Sequence, residues 1–200
     1  MKPNPNRLIL ASRSPRRREL LAEAGYRFDV VPASESAECG ICSRETPPEF
    51  VARLARQKAA DIAPAVASGI VLGCDTIAEC QGRILGKPTD VAHAREMLHL
   101  LRGREHRVYS GICLWRRPDD RTLVRVDTTV LEMDPIGDAE IEAYCASGLW
   151  EGKAGAFGYQ DRHGWLHIRC GSESNVVGLP MELLEAMLAE MAALPTAQAE

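Results

Sequence analysis

Residues Leu8 to Leu21 read LILASRSPRRRELL, and the rest of the chain is interpreted outward from them. The apolar run at the start predicts a buried strand, which Ser12 interrupts. The pair Ser14-Pro15 predicts the start of a helix. A serine hydroxyl can accept a hydrogen bond from a free amide of the first turn, and proline fits the first helical position. Gly25 stands where that helix would end.

The first turn of this predicted helix carries Arg16, Arg17 and Arg18. A helix N-terminus already presents free amides and a partial positive charge, so cations there are unfavourable unless an anion lies among them. Guanidinium groups bind phosphate oxygens in a bidentate fork. The turn is therefore either a cradle for a polyphosphate or a solvated basic turn, and this segment alone leaves both open.

Length and composition indicate one soluble domain. The chain has 200 residues, 46% hydrophobic and 26% charged, with a net charge of −4, which argues against a general nucleic-acid binder. We find no apolar run long enough to cross a membrane, and the segment before Leu8 is too short and polar for a signal peptide. We expect a cytoplasmic chain with one domain over 1–194 and a frayed tail over 195–200.

The seven cysteines are an odd number and argue against a disulfide framework in a cytoplasmic chain. Cys39 and Cys42 form a C-x-x-C pair, which is half a zinc site, a redox pair or two reduced thiols without a role. No second ligand pair stands at matching spacing, so we favour reduced thiols. His163 and His167 have helical metal-pair spacing, but the glycine between them favours a hairpin without metal.

Thr46 to Glu49 forms a capping box that opens a helix running to about Ala63. Lys58 falls at the edge of its apolar face, where the stem packs and the ammonium either reaches water or points into a site. The next strand, Ile70 to Ala78, is interrupted by Asp75. A carboxylate inside an apolar run needs a cation, a metal ion or a proton as its partner.

Lys87 follows on a short loop punctuated by glycine and proline, and residues 153–160 read KAGAFGYQ. Gly155 and Gly158, with Gly152 just before the segment, allow the backbone to approach a ligand, and Lys153 and Gln160 stand at the two ends of the segment. The segment is not a Walker loop. The other predicted elements are strands at Arg27–Pro32, Arg83–Leu85, His106–Trp115, Thr122–Met133 and Trp165–Ile168, helices at Asp90–Leu101, Asp138–Ala146 and Met181–Ala193, and a tight loop at Asn175–Pro180.

Six segments resemble, in order and spacing, those of the Maf family of nucleoside triphosphate pyrophosphatases. They are LILASRSPRRRELL, VARLARQKA, VLGCDTIAECQGRILGKPTD, EIEAY, KAGAFGYQ and NVVGLP, and they cover nearly the whole chain from Leu8 to about Leu188. Each is weak evidence by itself, but six in register are specific. The chain is identified as a member of this family by resemblance.

The resemblance implies a hydrolase that cleaves a nucleoside triphosphate between its α- and β-phosphates, with Mg²⁺ or Mn²⁺ as cofactor. The retained KAGAFGYQ segment resembles the pyrimidine-selective branch, which acts on dTTP and UTP or on modified pyrimidine nucleotides, as in the removal of non-standard nucleotides. The nucleotide is the implied partner, without nucleic acid or membrane, and the choice between monomer and homodimer stays open. The implied residues for binding phosphates are Ser12, Arg16, Arg17 and Lys58, and those for catalysis are Asp75 and Lys87. Arg16, Thr76 and Gln160 match positions linked to base preference. The implied metal ligands are Asp75 with Glu38, or with Glu35 in the other register.

Two segments depart from the family pattern. The acidic loop reads Glu35-Ser36-Ala37-Glu38, which leaves the metal carboxylate open by register, and Trp150-Glu151-Gly152 replaces the usual proline-aspartate pair. The second departure puts the base preference in question. The main alternative function is a non-catalytic nucleotide-binding regulator of cell division and septum formation, against which the carboxylates argue.

The expected fold is α/β: a long, twisted mixed sheet flanked by helices, with two lobes around a cleft. The family resemblance implies a similarity to the architecture of inosine triphosphate pyrophosphatases.

Overall fold

The structure is a computed structural model that describes residues 7–34, 37, 45–161 and 163–195. Glu35, Glu38, Cys39 and Cys42 lie outside the described residues, so the predictions made for them are not addressed by the structure. No helix in the described part of the chain is long and apolar enough to cross a membrane.

Within the described residues, seven strands form one mixed sheet, which confirms the predicted fold class. The sheet order is β2-β1-β3-β5-β6-β7, and β4 pairs with β3 outside that path. Strand β1 runs parallel to β2 and to β3, whereas β4 pairs antiparallel with β3 and β7 antiparallel with β6. The strands are β1 Leu8–Leu10, β2 Phe28–Val30, β3 Gly69–Cys80, β4 Arg83–Leu85, β5 Glu105–Arg117, β6 Arg121–Met133 and β7 Leu166–Cys170.

Six α-helices accompany the sheet within the described residues: α1 Pro15–Glu23, α2 Pro47–Ile62, α3 Val91–Leu101, α4 Asp138–Ser147, α5 Glu173–Val177 and α6 Met181–Ala193. The predicted capping box of α2 is present, because both the amide and the hydroxyl of Thr46 donate to Glu49 Oε2 at 2.9 and 2.7 Å. Gly25 follows the C-terminal end of α1 and has a φ of 79°. Glycine adopts this left-handed conformation without steric cost, which agrees with the predicted end of the helix.

Two predicted details of the backbone are wrong. Ser14 does occupy the N-cap of α1, but its hydroxyl makes no capping hydrogen bond. Its amide donates to Ser12 Oγ at 3.2 Å instead. The segment Asn175–Pro180, predicted as a loop, begins inside the short helix α5, which is too short for a periodic apolar pattern to reveal.

The chain divides into two compact units. Unit 1 comprises 1–75, 110–126 and 178–200, and unit 2 comprises 76–109 and 127–177. Unit 1 contains two apolar clusters, one around Leu10, Leu72 and Leu184 and one around Ile9, Ala55 and Val71. Unit 2 has its own cluster, built mainly from α3, α4 and the parts of β3 to β6 that belong to this unit. The predicted cleft stays a prediction.

Candidate active site

In unit 1 the loop after β1 is tied to α1 through Arg17. This side chain is buried, and its guanidinium donates to three oxygens: Ser12 Oγ at 3.0 Å, the Cys74 carbonyl at 2.9 Å and the Gly178 carbonyl at 2.8 Å. Arg17 therefore fixes the position of the Ser12 hydroxyl relative to the middle of β3 and to the turn before α6.

The Ser12 hydroxyl accepts two hydrogen bonds, one from Arg17 and one from the Ser14 amide. A serine hydroxyl has two acceptor lone pairs and one donor hydrogen. With both lone pairs used, its hydrogen is left to donate, and a phosphate oxygen is a suitable acceptor.

Arg16 and Arg18 occupy the same first turn of α1, half-buried and exposed respectively, and this turn contains no acidic residue. The basic turn is thus divided in its role. Arg17 points inward and binds the protein, while Arg18 faces solvent.

Lys58 and Asp75 form an ion pair in unit 1, with 2.6 Å between Nζ and Oδ1. The two side chains are only 7% and 14% exposed. The alternative in which the Lys58 ammonium reaches water is therefore wrong. Asp75 has the cationic partner that its position in an apolar strand requires, and its other oxygen, Oδ2, makes no hydrogen bond to the described part of the chain.

Close packing of α2 on the sheet brings this pair together. A β-carbon added at Gly73 would lie 2.1 Å from the Ala55 carbonyl oxygen, and one at Gly111 would lie 2.3 Å from the Val51 carbonyl oxygen. Helix α2 thus rests on β3 and β5 at positions that only glycine can occupy. Gly73 and Asp75 are two residues apart on one strand and share a face, the face toward α2.

In unit 2, Thr76 continues β3 directly after Asp75 and is half-buried. Lys87 is exposed on the loop between β4 and α3 and makes no ion pair or hydrogen bond with its side chain among the described residues. The Gly155 amide donates to the Gly86 carbonyl at 3.1 Å. The loop that carries Lys87 is therefore joined to the segment KAGAFGYQ, 153–160, within the same unit.

Gln160 lies at the edge of a cavity in unit 2 with a volume of about 440 Å³. The cavity is bounded by Phe157, Tyr159, Gln160, His163, Gly164, Leu166 and Glu173. One wall is aromatic, since the His163 ring stacks on Trp165 with 4.7 Å between centroids and Phe157 lies 5.6 Å from the same indole. A planar ring with a polar edge matches this combination of aromatic wall and amide.

Residues 153–161 are closed into a loop by a buried ion pair. Lys153 Nζ lies 2.6 and 2.5 Å from the two carboxylate oxygens of Asp161, whose Oδ2 also accepts the Tyr144 hydroxyl at 2.7 Å. The pKa of Tyr144 is raised mainly by burial and secondly by the hydrogen bond to Asp161. Its hydroxyl therefore keeps its proton and remains a hydrogen-bond donor. Sequence reasoning singled out Lys153 but missed Asp161 and Tyr144. A lysine in a glycine-rich segment with a nearby aspartate was the available signal.

The implied divalent metal fits the residues present only in part. Mg²⁺ is held in proteins by one or two carboxylates together with substrate phosphates. Asp75 offers such a carboxylate oxygen. Among the described residues there is no group of three or more histidine, cysteine or acidic side chains that would hold a metal without the substrate, and Glu38 is outside that part of the chain.

Other predicted features have no place in this site. No disulfide forms among the cysteines of the described chain, which are Cys74, Cys80, Cys113, Cys145 and Cys170. His167 bonds Asp134 Oδ1 at 2.9 Å instead of facing His163 across a helix, since it lies on β7. His163 and His167 therefore do not lie one turn apart on a helix.

The fold and the family are shown by comparison with known proteins. A HAM1 protein from Coxiella burnetii superposes with a TM-score of 0.50 at 16% identity, covering 92% of this chain and 99% of that one, so the two share a fold. A family model described as Maf-like protein matches residues 7–191. The chain belongs to the Maf family, as the six segments predicted.

Curated relatives are similar over most of their length. A dTTP/UTP pyrophosphatase from Rhodopirellula baltica is 58% identical over 187 residues, which are 93% of this chain and 82% of the relative. A dTTP/UTP pyrophosphatase from Salinibacter ruber is 42% identical over 88% of this chain and 87% of its own.

Proposed function

We propose that the protein hydrolyses nucleoside triphosphates to the monophosphate and pyrophosphate. The observation that carries this proposal is the linked set in unit 1, in which Arg17 holds the Ser12 hydroxyl against β3 one residue before the Asp75–Lys58 ion pair. This set offers a hydroxyl that can donate a hydrogen bond to phosphate and a carboxylate that can accept a proton. The names of the curated relatives support the same activity.

Phosphate binding is assigned to Ser12, Arg16, Arg17 and the two lysines, 58 and 87. Phosphoryl transfer depends mostly on positioning and on offsetting negative charge, which cations and hydroxyl donors supply. In this scheme Ser12 donates its remaining hydrogen to a phosphate oxygen. Arg17 contributes its charge and keeps that hydroxyl in place, and Lys87 is assigned a further positive charge for the triphosphate, as the family resemblance implies.

Asp75 is assigned the acid–base role. The attacking water must lose a proton as its oxygen bonds to phosphorus and the α–β bridging oxygen departs with the pyrophosphate. Oδ2 of Asp75 is the acceptor, while Lys58 holds Oδ1 and so fixes the orientation of the carboxylate. Lys87 then helps to offset the charge of the leaving pyrophosphate.

The cofactor assigned is Mg²⁺ or Mn²⁺, held by substrate phosphates and by Asp75, with Glu38 as the second carboxylate. When bound, such an ion offsets phosphate charge and orients the triphosphate. The cytoplasm is the assigned compartment, and the five cysteines of the described chain form no disulfide, as is usual for a protein in that compartment.

Pyrimidine triphosphates, dTTP and UTP above all, are the proposed substrates. Gln160 carries an amide donor and a carbonyl acceptor, which match the adjacent N–H and carbonyl of thymine and uracil. It stands at the edge of the aromatic-walled cavity of unit 2, and Thr76 is assigned to the same recognition. A site that pairs these groups leaves its own polar atoms unsatisfied when another base enters.

The test is a panel of dTTP, UTP, CTP, GTP and 7-methyl-GTP, with products identified by ³¹P NMR. We expect pyrophosphate and the monophosphate, with the highest kcat/KM for dTTP and UTP. Release of orthophosphate would refute the proposed reaction. Binding without any turnover would support the non-catalytic regulator instead, and preference for a guanine nucleotide would refute only the base assignment.

Titration with Mg²⁺ separates the two roles of Asp75. If Asp75 acts only as the base, Asp75→Asn lowers kcat while the concentration of Mg²⁺ needed for half-maximal substrate binding stays unchanged. If Asp75 also binds metal, that concentration rises.

A further inference from the structure

We propose that Asp161 is a positioning residue that fixes Gln160 for recognition of the pyrimidine base. The inference rests on the proposed function and adds to it the part of the fold that sets base selectivity. Asp161 follows Gln160 directly in the chain, and both lie in a single 3₁₀ turn, Tyr159–Asp161. Any movement of the Asp161 backbone therefore moves Gln160.

Asp161 has contacts that can hold such a turn. Its side chain is 8% exposed and accepts from Lys153 with both oxygens and from the Tyr144 hydroxyl with one. Lys153 begins the segment 153–160, and Tyr144 belongs to α4, whose Ile141 and Tyr144 are part of the unit 2 core. The carboxylate thus joins both ends of the segment to the core of its unit.

The lysine side chain crosses the inside of the loop. A β-carbon at Gly158 would lie 2.7 Å from Lys153 Nζ and 2.8 Å from its Cε. A side chain at position 158 would therefore meet the Lys153 ammonium and make it shift, which gives a packing reason for the second glycine of KAGAFGYQ. Because a buried pair is strongly destabilised when one partner is removed, Lys153 and Asp161 act as one unit.

Gln160 depends on this support because its own side chain makes no hydrogen bond to the residues that the structure describes. A glutamine amide that can turn over presents either its donor or its acceptor, and so would fit cytosine as well as uracil. Contact with either edge also requires the amide to stand within hydrogen-bond reach of the base, which depends on the position of the backbone beneath it. The contacts of Asp161 with Lys153 and Tyr144 hold the backbone at the residue next to Gln160.

The experiment is a double-variant cycle with Gln160→Ala and Asp161→Asn. The measured quantity is the ratio of kcat/KM for dTTP to that for CTP. We expect Asp161→Asn to lower this ratio about tenfold, the change that the loss of one hydrogen bond produces, mainly through KM for dTTP. In the Gln160→Ala background, Asp161→Asn should cause no further loss. Inhibition by inorganic tripolyphosphate, which has no base, should be unchanged.

Two further variants keep the test decisive. Tyr144→Phe removes one of the bonds to Asp161 and should lower the ratio about threefold, even if Asp161→Asn fails to fold. Glu142→Gln, on the same helix, breaks the exposed ion pair to Arg95 and should leave the ratio unchanged.

Equal losses from Asp161→Asn in both backgrounds, or an unchanged ratio in Tyr144→Phe, would overturn the positioning role while leaving the pyrophosphatase assignment intact. A wild-type protein that hydrolyses all bases equally would also overturn it. If wild-type protein releases no pyrophosphate from dTTP, the proposed function itself fails, and the positioning role with it.

Discussion

Gly73 allows α2 to approach β3 closely enough for Lys58 to reach Asp75, so Gly73→Ala measures how far activity depends on that approach. The added β-carbon would lie 2.1 Å from the Ala55 carbonyl oxygen and 2.9 Å from the Ala59 amide nitrogen. Ordinary contact begins at 3.4 Å. The two backbones must therefore separate by about 1.3 Å, the difference between 3.4 and 2.1 Å, because neither neighbour is a flexible side chain.

This displacement has two measurable results. Overpacking of a close-packed core lowers the free energy of unfolding by about 1–3 kcal/mol. For a chain of this size, that corresponds to a fall in melting temperature of about 2–12 °C. The 2.6 Å ion pair between Lys58 and Asp75 lengthens by a similar distance. Since a 1 Å misplacement in an active site reduces rates about 100-fold, we expect kcat/KM for dTTP to fall by about that factor.

The assay compares thermal unfolding with dTTP hydrolysis at 25 °C, where the variant stays folded. Gly137→Ala is the matched control, because a β-carbon there meets only Glu140 Oε2 at 3.5 Å and the residue has φ −80°. Ile141→Val, in the unit 2 core, supplies a comparable loss of stability of about 0.5–1.5 kcal/mol without touching α2. Native activity in Gly73→Ala, or an equal loss of activity in Ile141→Val, would refute the reasoning.

Three other expectations follow from the contacts. Asp75→Asn should abolish dTTP turnover. It should also lower the free energy of unfolding, measured in urea, by about 1–3 kcal/mol, because the buried Lys58 ammonium loses its charged partner. Lys87→Ala should weaken triphosphate binding by about 1.5–3 kcal/mol in calorimetry with nucleoside binding and melting temperature unchanged, whereas Arg83→Ala, another exposed cation of unit 2, should change neither. Burial raises the pKa of the Cys113 thiol from 9.0 to about 12. Between these pH values the thiol ionises only in the unfolded chain, so the free energy of unfolding falls as pH rises. Cys113→Ala should reduce this pH dependence in urea titrations.

Much of the fold could be predicted because its signals are local. The bounds of α6 agree with the predicted Met181 to Ala193, and the capping box placed the start of α2 correctly. Strand β3 is longer than predicted at both ends, because the terminal residues of a strand show a weaker hydrophobic pattern than its middle. Helix α5 was missed because five residues before a glycine and a proline have the composition of a loop.

The pairing within the candidate site could not be read in the same way. Lys58 and Asp75 are seventeen positions apart, and their contact depends on how closely α2 packs on the sheet. Spacing along α2 placed Lys58 at the edge of an apolar face and so favoured an ammonium in water. The glycine at 73 was the missing clue, but its meaning requires knowledge of which helix lies over it.

The arginine-rich turn shows why a charge cluster in a sequence does not by itself define a ligand site. Three consecutive arginines carry the same charge, yet the structure gives Arg17 three oxygen acceptors of the protein itself, while Arg18 remains exposed. Part of the positive charge that suggested a cradle therefore serves to assemble it. The Ser14 amide and the Arg17 guanidinium donate to the two lone pairs of the Ser12 hydroxyl. The serine can therefore bind a phosphate only as a hydrogen-bond donor. That polarity suits a phosphate oxygen, which accepts hydrogen bonds and cannot donate them when ionised. The same contact that buries one cation thus makes its neighbour selective for an anion.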